Sequence, residues 1–266
     1  MKTGKKKTLG FALGSGGSRG MAHIGFLKAM EEEGIRADYV AGCSMGAVVG
    51  AAYASGVSPE VMYQATKKLR FFDLFSFSNC RSGLMGTKKV RALLVKYIGD
   101  KEFSDLDIPF GCTATDMISQ SLIEIDEGSV ADAVVASSSI PAVFKATTRD
   151  GMRLVDGGVL ERVPVNFVKR MGADVVVAVD VLGYRRCRDE NRMPYAMGIL
   201  LDTIDIMDNQ RQPHVKKDLA GKVDLWLEPE LGTMSQYMFR ELDFAYRQGY
   251  EMGKENAQAI KDLLAD

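Results

Sequence analysis

The stretch Gly42-Cys43-Ser44-Met45-Gly46 follows the apolar run Tyr39-Val40-Ala41 and precedes a row of small residues at positions 47–54. A serine between two glycines at a strand-to-helix junction is typical of a nucleophile elbow, a tight turn that holds the hydroxyl clear of the backbone. The pattern therefore predicts a buried strand, a turn at Ser44 and a small-residue helix packed on a sheet. Because the chain contains 27 glycines, the pattern alone is weak, and its context decides its meaning.

Apolar runs alternate with helical patterns along the chain. The clearest strand, residues 173–180, is the kind of continuous β-branched run that a parallel sheet buries on both faces. Strands alternating with helices predict an α/β fold, a mostly parallel central sheet with helices on both faces. Strands are expected at residues 8–13, 37–41, 108–115, 121–125, 143–148, 153–155, 173–180 and 223–227, with a hairpin turn at 149–152. Helices are expected from residue 21 to a stop at Gly34, from residue 58 onward, and at 87–98, 130–137, 193–219 and 238–264.

No linker, internal repeat or low-complexity stretch interrupts this alternation, so we expect one domain over residues 1–266, with the motifs in 9–180 and a remainder in 181–266. Residues 71–86 are the exception to the pattern, because phenylalanines stand there among serines and glycines. This segment is interpreted as a loop or flap. Residues 67–75, where basic residues stand beside aromatic ones, are interpreted as a flap over the site, as a contact with a membrane interface, or as a loop packed on the core.

Composition excludes several classes of function. A formal net charge of -1 gives no electrostatic field for nucleic acid. No apolar run is long enough to span a bilayer, and the lysine-rich N-terminus is interpreted as a solvated tail. We expect a cytoplasmic protein with at most peripheral membrane contact, no cofactor and no metal; the oligomeric state is not predicted. Four separated cysteines, expected to be reduced thiols rather than zinc ligands, are Cys43, Cys80, Cys112 and Cys187.

The loop Gly14-Ser15-Gly16-Gly17-Ser18-Arg19-Gly20 lies between the first predicted strand and helix. Glycines let several backbone N–H groups point into one concavity, which suits the oxyanion of an acyl-transfer intermediate. A dinucleotide-binding loop is the alternative. Arg19, however, stands where that fingerprint has glycine, and no acidic residue ends the second strand. An oxyanion-binding loop is favoured.

A serine nucleophile needs a base. His23 lies on the first predicted helix and is expected to be structural, and His214 lies in a polar segment and is expected at the surface. Asp156 ends a predicted strand just before Gly157 and Gly158. A partly desolvated carboxylate can accept the serine proton, which makes Asp156 the favoured base and Asp180, at another strand end, the next candidate.

The motifs at residues 16–20, 42–46 and 156–158, in this order, resemble those of the patatin-like phospholipases. Residues 137–144 and 19–27 are similar to two further blocks of that family, so the resemblance covers about residues 9–180. It implies a serine–aspartate dyad without a catalytic histidine and hydrolysis of acyl esters of phospholipids or lysophospholipids. The implied roles are Ser44 as nucleophile, Asp156 as base, Gly16 and Gly17 with Ser15 or Gly14 in the oxyanion hole, and Arg19, Gly42, Met45, Gly46, Gly157 and Gly158 in support.

One residue departs from the family pattern, because Ser15 stands where many members have a further glycine. Two other functions remain open. Ser44, Asp156 and His214 follow the chain order of an α/β-hydrolase triad, which predicts an ordinary esterase. A regulator that keeps the fold without catalysis is the third hypothesis.

Overall fold

The computed structural model describes residues 6–68, 86–183, 195–237 and 241–265. Within these residues eight strands form one sheet in the order β5-β6-β3-β2-β1-β7-β8, with β4 paired to β3. The strands are β1 (Leu9–Leu13), β2 (Tyr39–Cys43), β3 (Phe110–Asp116), β4 (Ser121–Ile125), β5 (Thr147–Arg149), β6 (Met152–Asp156), β7 (Val175–Val179) and β8 (Leu225–Leu227).

The sheet has a parallel half and an antiparallel edge. Strands β3, β2, β1, β7 and β8 run parallel to their neighbours, whereas β4 and β6 run antiparallel to β3 and β5 antiparallel to β6. The hairpin predicted around residues 149–152 is present and turns at Asp150 and Gly151, both with positive φ. The carboxyl ends of β1 and β2 are adjacent, since Leu13 pairs with Gly42.

Helices cover both faces of the sheet, which confirms the predicted α/β architecture. Along β1 the side chains of Leu9, Phe11 and Leu13 join the larger hydrophobic core, while Ala12 joins a smaller core on the opposite face. This alternation is the period of two that a strand imposes. The helices are α1 (Met21–Glu32), α2 (Met45–Ala54), α3 (Pro59–Lys68), α4 (Lys88–Ile98), α5 (Val130–Ser137), α6 (Val165–Met171), α7 (Tyr195–Asp218) and α8 (Leu242–Ala265).

Some sequence expectations fall outside the described residues. The proposed flap at 71–86 does so except for Gly86, and so do Cys80 and Cys187, whereas Cys43 and Cys112 are buried free thiols. Among the helices that the structure describes, none is both long and apolar enough to cross a membrane.

Candidate active site

Ser44 lies between the end of β2 and the start of α2. Its φ of 53° and ψ of -119° form a conformation that costs energy for a residue with a side chain. Neighbouring hydroxyls hold this turn in place. The Ser44 N–H donates to Ser137 Oγ at 2.9 Å, and the Ser138 hydroxyl donates to the Ser44 carbonyl at 3.3 Å. The strained geometry is that of a nucleophile elbow.

The glycines beside Ser44 let the elbow pack against β1. A Cβ on Gly46 would lie 2.1 Å from the carbonyl oxygen of Leu13 and 2.6 Å from that of Gly14. A Cβ on Gly42 would lie 2.5 Å from the carbonyl oxygen of Gly46. Since the glycine loop starts at Gly14, this close approach brings the Ser44 turn next to that loop.

Asp156 ends β6, where it pairs with Ala114 of β3. Its side chain is buried and accepts hydrogen bonds from the Gly158 N–H at 2.8 Å and from Cys43 Sγ at 3.8 Å, and the nearby Ser44 hydroxyl acts on the same carboxylate. Burial raises the pKa of Asp156 from 3.8 to about 6, although these hydrogen bonds oppose the rise. The carboxylate beside Ser44 is therefore a stronger base than an ordinary aspartate.

The backbone N–H groups of the glycine loop fall into two sets. Among the residues that the structure describes, those of Gly16 and Gly17 have no protein acceptor, and both residues line the cavity that contains Ser44. The Ser15 N–H is engaged elsewhere, so the donors available to a substrate are those of Gly16 and Gly17. The engaged donors are Gly14 N–H to Val179 O (2.9 Å), Ser15 N–H to Arg162 O (2.8 Å) and Ser18 N–H to Gln236 O (2.9 Å).

His23 holds the first residue of this loop, Gly14, in place through a hydrogen bond. It is fully buried, and its Nε2 lies 2.8 Å from the carbonyl oxygen of Gly14. Burial lowers the pKa of His23 to about 4, so the ring is neutral near pH 7 and its Nε2–H donates to Gly14. Because the next N–H, of Ser15, donates to Arg162, the Gly14–Ser15 peptide is held on both sides. His23 is thus a structural residue, as the sequence analysis expects.

Arg19 anchors the loop to the C-terminal part of the chain. Its guanidinium is buried and donates to the carbonyl oxygens of Leu182 at 2.9 Å and Gly232 at 2.8 Å. Met45, the first residue of α2, is half-buried and packs against Gly20 of the loop. A Cβ added to Gly20 would lie 2.1 Å from the Cγ of Met45. Arg19 and Met45 therefore support the loop, and neither is among the described residues that line the Ser44 cavity.

The other titratable candidates lie away from Ser44. Asp180 is fully buried and accepts from Arg162 and from the N–H groups of Leu182 and Gly183, which makes it part of a structural ion pair. His214 is exposed on α7 and is not among the residues that line the Ser44 cavity. The structure therefore brings Ser44 and Asp156 together but leaves both histidines outside the site.

The cavity at Ser44 has a volume of about 550 Å³ and a partly polar wall. Four polar residues of that wall were not predicted from the sequence: Asp205 and Asp208 of α7, and Gln236 and Tyr237 after β8. Gln236 Nε2 lies 2.8 Å from both carboxylate oxygens of Asp205, and the Tyr237 hydroxyl lies 2.9 Å from one of them. No local motif marks these residues, because only the folded chain brings them to the cavity.

Comparisons with known proteins identify the family of this chain. A sequence model of the patatin-like phospholipase family matches residues 11–168. The chain is 30% identical to the lysophospholipase nte1 of Emericella nidulans, an alignment that covers 96% of this chain but 18% of that protein. It is 34% identical to an uncharacterised NTE family protein of Mycobacterium tuberculosis over 65% of this chain and 48% of that one. The chain thus spans less than half the length of these relatives.

A similar fold occurs in a solved structure at low sequence identity. VipD from Legionella pneumophila matches 96% of this chain and 67% of its own chain, with a TM-score of 0.66 at 13% identity. At this identity the likeness concerns the fold alone. The sequence match establishes the family, and it spans the glycine loop, the turn at Ser44 and Asp156. The chain belongs to the patatin-like phospholipase family.

Proposed function

We propose that this protein is a serine acyl-ester hydrolase acting on lipids, with Ser44 as nucleophile, Asp156 as base, and the N–H groups of Gly16 and Gly17 as oxyanion donors. The observation that carries the proposal is the position of Ser44, held in a strained turn beside a desolvated carboxylate in the wall of the same cavity. Such a contact lets the carboxylate accept the hydroxyl proton during attack.

The reaction has two halves. In the first, Ser44 Oγ attacks the ester carbonyl while its proton passes to Asp156, and the oxyanion accepts hydrogen bonds from Gly16 and Gly17. Collapse of this intermediate breaks the ester bond, and Asp156 returns the proton to the leaving alkoxide. In the second half, water attacks the acyl-enzyme, its proton passes to Asp156 and then to Ser44 Oγ, and the fatty acid leaves.

The substrate class follows from family membership and from the fungal relative, whose name is lysophospholipase. We propose phospholipid or lysophospholipid esters. Such a substrate lies in a membrane or micelle, which requires peripheral contact with a lipid surface. Co-sedimentation with phosphatidylcholine vesicles tests that contact, and a protein recovered wholly in the supernatant contradicts it.

A lipid-panel assay of wild type against Ser44→Ala and Asp156→Asn tests the function. Both variants are expected to lose at least about 10³-fold in kcat/KM, because nucleophile and base act as a unit. His214→Ala is the matched control for the triad hypothesis and is expected to retain activity within about twofold, since exposed substitutions away from the site have small effects. A His214→Ala variant that folds but does not turn over contradicts the dyad. Failure of a fluorophosphonate probe to label Ser44 favours a non-catalytic regulator instead.

A further inference from the structure

A second cavity lies between α1, α2, α3 and α4 and reaches the glycine loop at Gly17, Ser18 and Gly20. It encloses about 720 Å³, including space open to solvent. Most of its wall is aliphatic, from residues such as Ile24, Val48, Leu93 and Leu94. A cavity of this size and composition suits an apolar ligand.

Three polar side chains stand in the described part of this wall, those of Ser18, Thr66 and Tyr97, and two of them already donate to backbone carbonyls. The Ser18 hydroxyl donates to the Ser235 carbonyl at 2.9 Å, and the Thr66 hydroxyl donates to the Met62 carbonyl of its own helix at 2.9 Å. Among the described residues that line the cavity, none is charged. A polar ligand therefore finds little to bind here, and desolvating it without new hydrogen bonds costs free energy.

The two cavities share a wall residue beside Ser44. Gly17, a proposed oxyanion donor, lines both cavities, and Met45, which follows the nucleophile, lines the apolar one. The Ser44 cavity is the more polar of the two, with Asp205 and Gln236 in its wall. A lipid ester has the same division, because an apolar chain stands on one side of its carbonyl group and a polar leaving group on the other.

We infer that the cavity between α1 and α4 binds the fatty acyl chain of the substrate, while the leaving group occupies the Ser44 cavity. This inference rests on the proposed function. Ala52 lies in the part of the acyl cavity remote from Ser44, because it follows Met45 by seven residues, about 10 Å along α2. Ala52 therefore limits the length of the chain rather than access to Ser44.

Cavity-filling variants test this assignment on p-nitrophenyl esters from butyrate to palmitate. Ala52→Phe is expected to lower kcat/KM for palmitate by about tenfold or more, because a filled apolar pocket rejects even one extra methylene by roughly 10- to 200-fold. The butyrate ester is expected to react within about twofold of wild type. Ala65→Phe, on the half-buried face of α3, fills the same cavity and replaces Ala52→Phe if that variant does not fold.

The control is Ala92→Phe, an equal enlargement on the exposed face of α4 outside the cavity, for which no change with chain length is expected. The inference is overturned if the filled variants keep the wild-type length preference, or if they lose all esters equally. Failure of the proposed function gives a different result, since Ser44→Ala then still hydrolyses the butyrate ester.

Discussion

Asp156 sets the pH dependence expected of this site. Burial raises its pKa to about 6, and only the ionised carboxylate can accept the Ser44 proton. We therefore expect kcat/KM for a short p-nitrophenyl ester to be flat above pH 7 and to fall about tenfold for each pH unit below 6. His23, with a pKa of about 4, stays neutral over most of this range and adds no second limb. A profile without a break between pH 5 and 7 contradicts Asp156 as the base.

Cys43 lowers the pKa of Asp156, the proposed base, through its side chain. Its buried Sγ lies 3.8 Å from Asp156 Oδ1, a hydrogen bond that lowers the pKa of the carboxyl group. In Cys43→Ala the acid limb of the pH profile is expected to move to higher pH, and Cys43→Ser, which keeps a donor, is expected to restore it in part. Cys112→Ala removes an equally buried thiol from the neighbouring strand and serves as control. Identical midpoints in all four proteins contradict the role.

His23 is expected to support catalysis without touching substrate, because its Nε2–H holds the Gly14 carbonyl. His23→Leu removes this donor, and we expect kcat to fall about tenfold with KM nearly unchanged, less than the roughly 10²–10³ of a direct oxyanion donor. His23→Gln can still donate and should recover part of kcat. The midpoint of the acid limb should be the same in both variants, which separates positioning from proton transfer. A shifted midpoint argues that His23 titrates in the reaction.

At the scale of elements, local signals predict some features and miss others. Strand β4 and helix α5 match their predicted ranges, since compact apolar runs and an N-cap at Ser129 mark them. Helix α6 was not predicted, because its seven residues give too little periodicity. It nevertheless covers one face of the sheet through Phe167 and Val168. Packing rather than intrinsic helix propensity explains such a short helix.

Close packing of α1 against α8 is a feature that only the structure reveals. A Cβ on Gly249 of α8 would lie 1.9 Å from the carbonyl oxygen of Ala22, and one on Gly25 of α1 would lie 1.9 Å from that of Tyr246. Gly249→Ala is therefore expected to lower the free energy of unfolding by about 2–3 kcal/mol through overpacking. Urea denaturation measures this change, and Arg247→Ala, at an exposed position of α8, is the control. Equal stability of Gly249→Ala and wild type contradicts this packing.

At the scale of the whole molecule, the site draws on segments far apart in the chain. Ser44, Asp156 and the glycine loop could be predicted because glycines and strand ends mark each of them locally. Asp205 and Gln236 could not, because their place in the cavity wall depends on how α7 and the segment after β8 fold back over the sheet. The hydrogen bond from the Ser15 N–H to the Arg162 carbonyl could not be predicted either, because the two residues are far apart in the chain and meet only in the folded protein.

Burying the ionised Asp156 carboxylate lowers the free energy of unfolding of the protein. The pKa of Asp156 is about 6 in the folded protein against an ordinary 3.8, so its contribution to stability is fully present below pH 3.8 and is lost as pH rises through 6. A difference of about 2 pH units corresponds to about 3 kcal/mol above pH 7. Asp156→Asn, neutral at every pH, is therefore expected to be inactive yet up to about 3 kcal/mol more stable than wild type at pH 8, with the gap closing near pH 4.

Urea denaturation of both proteins at pH 4, 6 and 8 measures this gap, and Asp116 provides a control of opposite sign. The Asp116 carboxylate accepts hydrogen bonds from the Ser119 hydroxyl and from the N–H groups of Ile118, Ser119 and Arg153, which hold its pKa below the ordinary range. Its contribution is present above pH 3.8 and is lost as pH falls, so Asp116→Asn is expected to be less stable than wild type at pH 8. If Asp156→Asn also loses stability at pH 8, with a gap that does not depend on pH, the carboxylate is not held at a folding cost, and the raised pKa that makes it a base is refuted.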